Sequence, residues 1–213
     1  MKLLLALGIG GALVVRGSVP PAPLKSPADA LAQRIEQRHR SVADFSARFV
    51  QTYRSGLLGR EVSERGTVSI KPPGRMLWEY RDPERKTFVS DGKTFYFYVP
   101  ADRHVVVREQ GGDRGVLSRL LSGSPGILAD FEAGLEPGST GRPRLRLTPR
   151  KSDPDLDRVY IESDAQDRIE SLEILDAQGN RSRFRFEGIR ENLGLPDRIF
   201  HFDIPKGVEV ISG

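Results

Sequence analysis

Cysteine is absent from all 213 residues, and histidine occurs only three times. The first absence excludes disulfides, thiol nucleophiles and thiolate metal ligands, and leaves no residue for an acylated N-terminal cysteine. His39, His104 and His201 are scattered without ligand spacing, so no metal is expected. There is also no G-x-S-x-G elbow and no H-E-x-x-H helix, so no catalytic residue is assigned and an enzyme is not expected. No apolar run is long enough to cross a bilayer as a helix, which takes about 20 residues. The longest uncharged one, "LLLALGIGGALVV" from Leu3 to Val15, has thirteen. Behind the basic Lys2 it has the length of a secretory h-region, so residues 1–24 are expected to be an export signal and 25–213 a single domain. "RGSVPPAP" offers no clean Ala-x-Ala, so the cleavage point is not fixed, and an uncleaved anchor is the alternative to a cleaved signal. A strong charge surplus is missing too. The formal +4 includes Lys2 and Arg16, in or beside the export segment, and the remainder is too small for a nucleic-acid footprint.

What the chain does have is a long succession of alternating segments. Ser26-Pro27 reads as an N-cap and first helical residue, and Leu31, Ile35 and Val42 follow on one helical stripe that also carries His39. Packing of that helix is expected to depend on pH near neutrality through His39. From Phe45 the period changes to two, with Phe45, Ala47, Phe49, Gln51 and Tyr53 on one face. Strands continue through "EVSERGTVSI", "GRMLWEY", the hairpin "KTFVSDGKTFYFYVP" and "HVVVRE". "GVLSRLLSGSPGILADF", residues 115–131, breaks the pattern with two short helical pieces around Ser-Gly-Ser-Pro-Gly. Strands resume with "PRLRLTP", "RVYIES", "RIESLEILD" and "RSRFRFEGI" and end in "RIFHFDIPKGVEVI". The fold class is mainly β with α: a long antiparallel sheet with one N-terminal helix and a helical insertion midway. A sheet of about ten strands tends to curl or close, and a curled one has an apolar concave face for the helices to cover.

The strand "TFYFYVP" is apolar on both faces. Phe95 and Phe97 are expected to line the concavity, while Tyr96 and Tyr98, with polar tips, take the wetter side. "RPRLRLTPRK" and "RSRFRF" put arginines on one strand face, either as a solvated face that discourages edge pairing or as a docking patch for an acidic partner. "DGKT" at 91–94 imitates a phosphate loop, but Thr87 stands where that motif needs glycine. "DPDLD" at 153–157 imitates a calcium loop, but Arg158 occupies the glycine position.

In their order and spacing, "DFSARFVQ", "GTVSIKPPGRMLWEY", "VSDGKTFYFYVP", the two-part helical insertion and "FHFDIPKGVEVI" resemble the LolA-type periplasmic carriers of outer-membrane lipoproteins. The resemblance implies a soluble periplasmic carrier, most simply a monomer, with an incomplete (unclosed) antiparallel β-barrel, a helical lid and an apolar cavity for lipoprotein acyl chains, and no cofactor. Its partners would be acylated lipoproteins, an inner-membrane ABC-type release complex and an outer-membrane receptor. Acyl-chain residues are expected to be Met76, Trp78, Phe95, Phe97, Phe184 and Phe186, with Leu117, Leu120, Leu121, Ile127, Leu128 and Phe131 in the lid. Family members commonly carry an arginine before the proline that precedes the tryptophan strand. Pro72 stands there and can make no side-chain hydrogen bond, so a weaker polar latch is expected: either Lys71 or Arg75 substitutes, or apolar contacts alone hold the lid. A carrier of glycolipid or another acyl lipid is the neighbouring alternative, and a lipoprotein sensor or adaptor a further one.

Overall fold

Ser26 Oγ accepts the backbone N–H of Asp29 at 3.1 Å, and Pro27 takes the next place, where a missing N–H costs nothing. Helix α1 (Pro27–Arg40) follows and buries Ala28, Leu31, Ala32 and Ile35. The structure is a computed structural model that describes residues 26–109, 116–122, 126–153 and 155–212. The expected export signal lies outside these residues, as do 110–115 and 123–125 in and before the lid insertion.

After α1 come β1 (Phe45–Arg54), β2 (Glu61–Lys71), β3 (Arg75–Asp82), β4 (Lys86–Asp91), β5 (Thr94–Val99) and β6 (His104–Glu109). Two short helices, α2 (Val116–Leu121) and α3 (Ile127–Asp130), lead into β7 (Phe131–Pro137), β8 (Pro143–Pro149), β9 (Arg158–Ser163), β10 (Ile169–Leu175) and β11 (Arg181–Glu191). A 3-10 turn (Asp197–Phe200) and β12 (Glu209–Ser212) finish the chain. All twelve strands form one sheet, in the order β12-β6-β5-β4-β3-β2-β1-β11-β10-β9-β8-β7. Its two edge strands, β12 and β7, are not paired to each other, so the sheet is an unclosed barrel. Every pairing is antiparallel except β12 on β6.

Turn chemistry fixes the register. The Asp91 carboxylate accepts the N–H of both Lys93 and Thr94 at 2.7 Å, and Gly92 takes a left-handed φ of 96°. These bonds hold the Asp91 carboxyl below its usual range against the opposing effect of burial. Phe88 is thereby set opposite Phe97, and Trp78 opposite Phe88. Alternation then delivers Phe45, Ala47, Phe49, Val68, Ile70, Met76, Trp78, Phe184 and Phe186 to one core beneath α1 and α2.

The other face of β3 to β6 is covered, contrary to the expectation of a wetter side. The segment after β11 returns across it: the 3-10 turn packs on β3 and β4, Phe200 is buried, and the Phe202 ring lies 5.5 Å from both Tyr96 and Tyr98. The closing segment is thus mostly a strap, and only Glu209–Ser212 becomes strand. Buried Asp44 anchors it by accepting the N–H of Leu193 at 2.6 Å and of Leu195 at 2.8 Å.

The arginine-rich strands resolve as a network of ion pairs. Arg144 and Arg146 reach Glu136, Arg142 reaches Glu170, and Arg181 and Arg183 share the buried Glu173. Arg144 also lies over the Tyr160 ring at 3.9 Å.

Candidate functional site

At the centre of the concave face is a group of aromatic rings. Trp78, only 4% exposed, sits 5.0 Å from Phe49, 5.4 Å from Phe184 and 6.2 Å from Phe186, centroid to centroid. Phe49 also meets Tyr80 at 4.9 Å. Most of these contacts are edge-to-face or tilted, the arrangement that adds about 0.5–1.5 kcal/mol per pair to simple burial. Space for them comes from Gly66, which stands opposite both Phe49 and Tyr80 in the sheet. Toward β5 the apolar surface opens: Phe88 stacks on Phe97 at 4.3 Å and lies 5.9 Å from Phe95, and these three are half-buried.

A belt of polar groups bounds the aromatic surface. Tyr80 donates its hydroxyl to Gln51 Oε1 at 2.6 Å, and Gln51 Nε2 donates to Ser182 at 2.8 Å. Beside them Lys86 bonds both Glu64 oxygens at 2.6 and 2.8 Å. Burial, with the Glu64 charge behind it, pushes the Tyr80 hydroxyl well above its ordinary range, so it stays a donor at every working pH.

Of the expected acyl-chain residues, Met76, Trp78, Phe184 and Phe186 converge in the buried core and Phe95 and Phe97 lie on its open side. Phe49, Tyr80 and Phe88 belong with them and were not singled out. The hairpin register could have found Phe88, since counting back from Asp91-Gly92 places it across from Phe97. In the lid, Leu120 and Leu121 are buried, while Leu117 and Leu128 are half-buried against the same core. The Ile127 side chain lies outside the described residues. Phe131 needs correcting: it is buried, but as the first residue of β7 paired with Pro149, because the helical period stops one residue earlier. Beside the lid, an open cleft of about 840 Å³ is lined by Val116, Arg119, Asp130, Arg150 and Lys151 among others, a charged surface unlike the aromatic one.

The expected latch also needs correcting. Lys71 and Arg75 hold Asp197, at 2.5 and 2.7 Å, and Lys71 Nζ donates to the Leu195 carbonyl at 2.7 Å. The reason is alternation: Ile70 and Met76 face the core, so their neighbours Lys71 and Arg75 face the strap on the opposite side of the sheet. Their cations hold the Asp197 carboxyl below its usual range. Lid contacts come from elsewhere. Arg119 pairs with Asp130 between α2 and α3, Arg150 Nε donates to the Leu128 carbonyl at 3.3 Å, and Gly126 N–H donates to Glu36 of α1 at 3.2 Å.

His39 joins α1 to α2. Its Nδ1 lies 3.4 Å from the Leu121 carbonyl oxygen, its ring meets Phe45 edge-on at 6.2 Å, and its buried Nε2 has no hydrogen-bond partner. The charged groups around it are already paired: Arg38 with Glu191, and Arg168 with Asp164. Burial lowers the His39 pKa from 6.5 to about 4; the Leu121 carbonyl opposes the shift and the Arg38 charge adds to it. The expected sensitivity near neutrality therefore moves to acid. A depressed histidine contributes fully while both states are neutral, above pH 6.5. Its contribution is lost as pH falls from 6.5 to about 4, because the unfolded chain takes the proton first. Chemical denaturation from pH 7 to 4 should show about 3 kcal/mol lost through this group. His39→Leu should remove that component of the slope; an unchanged slope would refute it.

The chain's sequence relatives can be set beside this geometry. The family described as "Outer membrane lipoprotein carrier protein LolA" matches residues 40–203. A protein named outer-membrane lipoprotein carrier protein from Hahella chejuensis is 31% identical over 184 residues, covering 81% of this chain and 83% of that one. One of the same name from Chromobacterium violaceum is 32% identical over 170 residues, covering 79% and 81%. Another, from Cupriavidus pinatubonensis, is 28% identical over 202 residues and covers 94% of each chain. Among solved structures, an uncharacterized conserved protein from Thermus thermophilus aligns with a TM-score of 0.54 at 17% identity, over 88% of this chain and 100% of the other, a likeness of fold. The family match takes in β1 to β11, the lid helices and the 3-10 turn, and so the chain belongs to the LolA family of outer-membrane lipoprotein carrier proteins.

Proposed function

We propose that the protein is a periplasmic carrier that holds the acyl chains of outer-membrane lipoproteins against the aromatic surface around Trp78. It takes them from an inner-membrane ABC-type release complex and passes them to an outer-membrane receptor, with no covalent step. The observation that carries this reading is the aromatic face of β1, β3, β4, β5 and β11 beneath two short apolar helices, in a chain of this family. Each methylene withdrawn from water gains about 0.8 kcal/mol, so a sixteen-carbon chain with about a dozen buried methylenes gains on the order of 10 kcal/mol gross. Delivery requires that most of this be given back. The packing supports that balance, because Leu120, Leu121, Trp78, Phe184 and Phe186 are buried against a common core. An entering chain exchanges those contacts for its own, so net affinity stays well below the gross gain.

Trp78 is the chain's single tryptophan and so reports on its own surroundings. Triacylated lipopeptide with chains brominated at mid-length should quench its fluorescence saturably, and unbrominated lipopeptide should reverse the quenching. Quenching by brominated glycolipid but not by lipopeptide would favour the sister lipid carrier; quenching by neither would remove the acyl-binding reading.

A further inference from the structure

The turn between β1 and β2 carries the most exposed large apolar side chains among the described residues: Leu57 is 91% exposed and Leu58 69%. The turn is nevertheless well built. Ser55 N–H donates to the Arg60 carbonyl at 2.9 Å, Gly59 N–H to the Ser55 carbonyl at 3.0 Å, and Leu58 N–H to Ser55 Oγ at 3.2 Å. A neighbouring turn braces it from the side. Gly56 N–H donates to Asn180 Oδ1 at 3.0 Å, and Gly56 lies so close to the β10–β11 turn that a Cβ there would come within 2.6 Å of the Gln178 carbonyl oxygen. The loop thus holds two leucines in water. Tyr53 and Val62, paired across the strands just below, are also exposed, and they continue the face that carries Phe49.

Charge surrounds this apolar tip. Arg54 and Arg60 are exposed and have no ion-pair partner among the described residues, while Glu61 stands opposite Arg54 in the register. In the bracing turn the Asp176 carboxylate is occupied, accepting the N–H of Gln178 and Asn180 at 2.9 and 2.8 Å. Leucines ahead and guanidinium groups behind them match the layers of a bilayer surface, acyl region first and phosphate next.

We propose that the Leu57–Leu58 tip docks the protein onto an anionic lipid bilayer, the leucines entering the interface and Arg54 and Arg60 meeting lipid phosphates. This goes beyond the carrier reading and needs no cargo. It would bring the rim of the aromatic face to the membrane, so that an acyl chain could leave without crossing open water.

The test is co-sedimentation of cargo-free protein recovered from the periplasm with vesicles of phosphatidylethanolamine and phosphatidylglycerol, alongside phosphatidylcholine vesicles. Binding is expected to the anionic vesicles and to weaken with salt. The double variant Leu57→Ser, Leu58→Ser should partition at least about tenfold less, since each leucine loses its transfer gain. Arg54→Gln with Arg60→Gln should flatten the salt dependence. The variants share the wild-type N-terminus, so the difference reads the tip alone, and an unchanged melting temperature with intact lipopeptide quenching of Trp78 shows the fold and acyl site preserved. Absent vesicle binding, equal partition of the leucine variant, or a wild-type dimer that this variant abolishes would overturn the proposal, the last making the tip a self-interface.

Discussion

Gly66→Ala should destabilise the protein by about 3 kcal/mol or more, at the upper end of overpacking effects. A methyl group at this position would lie 2.0 Å from the Glu79 carbonyl oxygen and 2.9 Å from Phe49 Cε1. The first obstacle is the backbone of β3, which cannot rotate away as a side chain can. The pairing shifts register between Arg65 and Gly66, and Gly66 stands opposite both Phe49 and Tyr80, whose rings meet there. Relief requires separating β2 from β3 or displacing the Phe49 ring from Trp78, and either loosens the aromatic cluster. For a domain of this size the loss corresponds to a fall in melting temperature of roughly 10 °C by circular dichroism. Gly59→Ala is the comparison. There the methyl would meet nothing within 4 Å and only the left-handed φ of 62° resists it, a cost of about 1 kcal/mol. Equal melting temperatures for the two variants would show that the strands separate without penalty and that the cluster does not depend on this close approach.

Local chemistry was legible in the sequence, and contacts between distant segments were not. Ser26-Pro27, Asp91-Gly92 and the alternation of "GRMLWEY" each state a structural instruction within a few residues, and each is realised. Trp78 could therefore be placed on the core face, and Phe184 and Phe186 on theirs, without knowing that β2 and β1 lie between their strands. Lys71 and Arg75 show where such reasoning could have gone further. Once Met76 and Trp78 are assigned inward, alternation sends Arg75 outward, away from any lid. The strap is different in kind. Nothing local in "NLGLPDRIFHFDIPKG" says that it crosses the back of β3 to β6. That follows from Asp44, some 150 residues earlier, capturing the N–H groups of Leu193 and Leu195. Both faces of "TFYFYVP" are aromatic because each meets a ring of another element: Phe95 and Phe97 join Phe88 on the open side of the aromatic surface, and Tyr96 and Tyr98 meet Phe202 of the strap. Phe131 was misplaced because an apolar residue directly after a short helix fits the helical stripe and the next strand equally well.

Trp78→Ala should separate stability from lipid binding. Trp78 touches Phe49, Phe184 and Phe186 while almost fully buried, so truncation removes several aromatic contacts and leaves a cavity. Stability should fall by about 3–5 kcal/mol, the usual cost of emptying a large aromatic site. If these rings were only a rigid core, acyl lipid would be indifferent to the change. In the carrier reading they are also the contacts that cargo must displace, and a competing closed state lowers apparent affinity by the fraction of molecules it occupies. Truncation weakens that competitor and supplies volume in the same step. The variant should therefore melt at lower temperature without lipid, yet gain more in melting temperature than the wild type when saturated with triacylated lipopeptide, because stabilisation by a ligand follows its affinity for the folded state. Trp78→Glu should behave oppositely, losing stability and lipopeptide stabilisation together, since a carboxylate in this apolar site opposes any acyl chain. A Trp78→Ala variant with unchanged stability would show that the tryptophan does not hold the closed cluster. One that is destabilised and gains no more than the wild type would place the acyl chain elsewhere, and the charged cleft beside Arg119 and Arg150 would be the next surface to test.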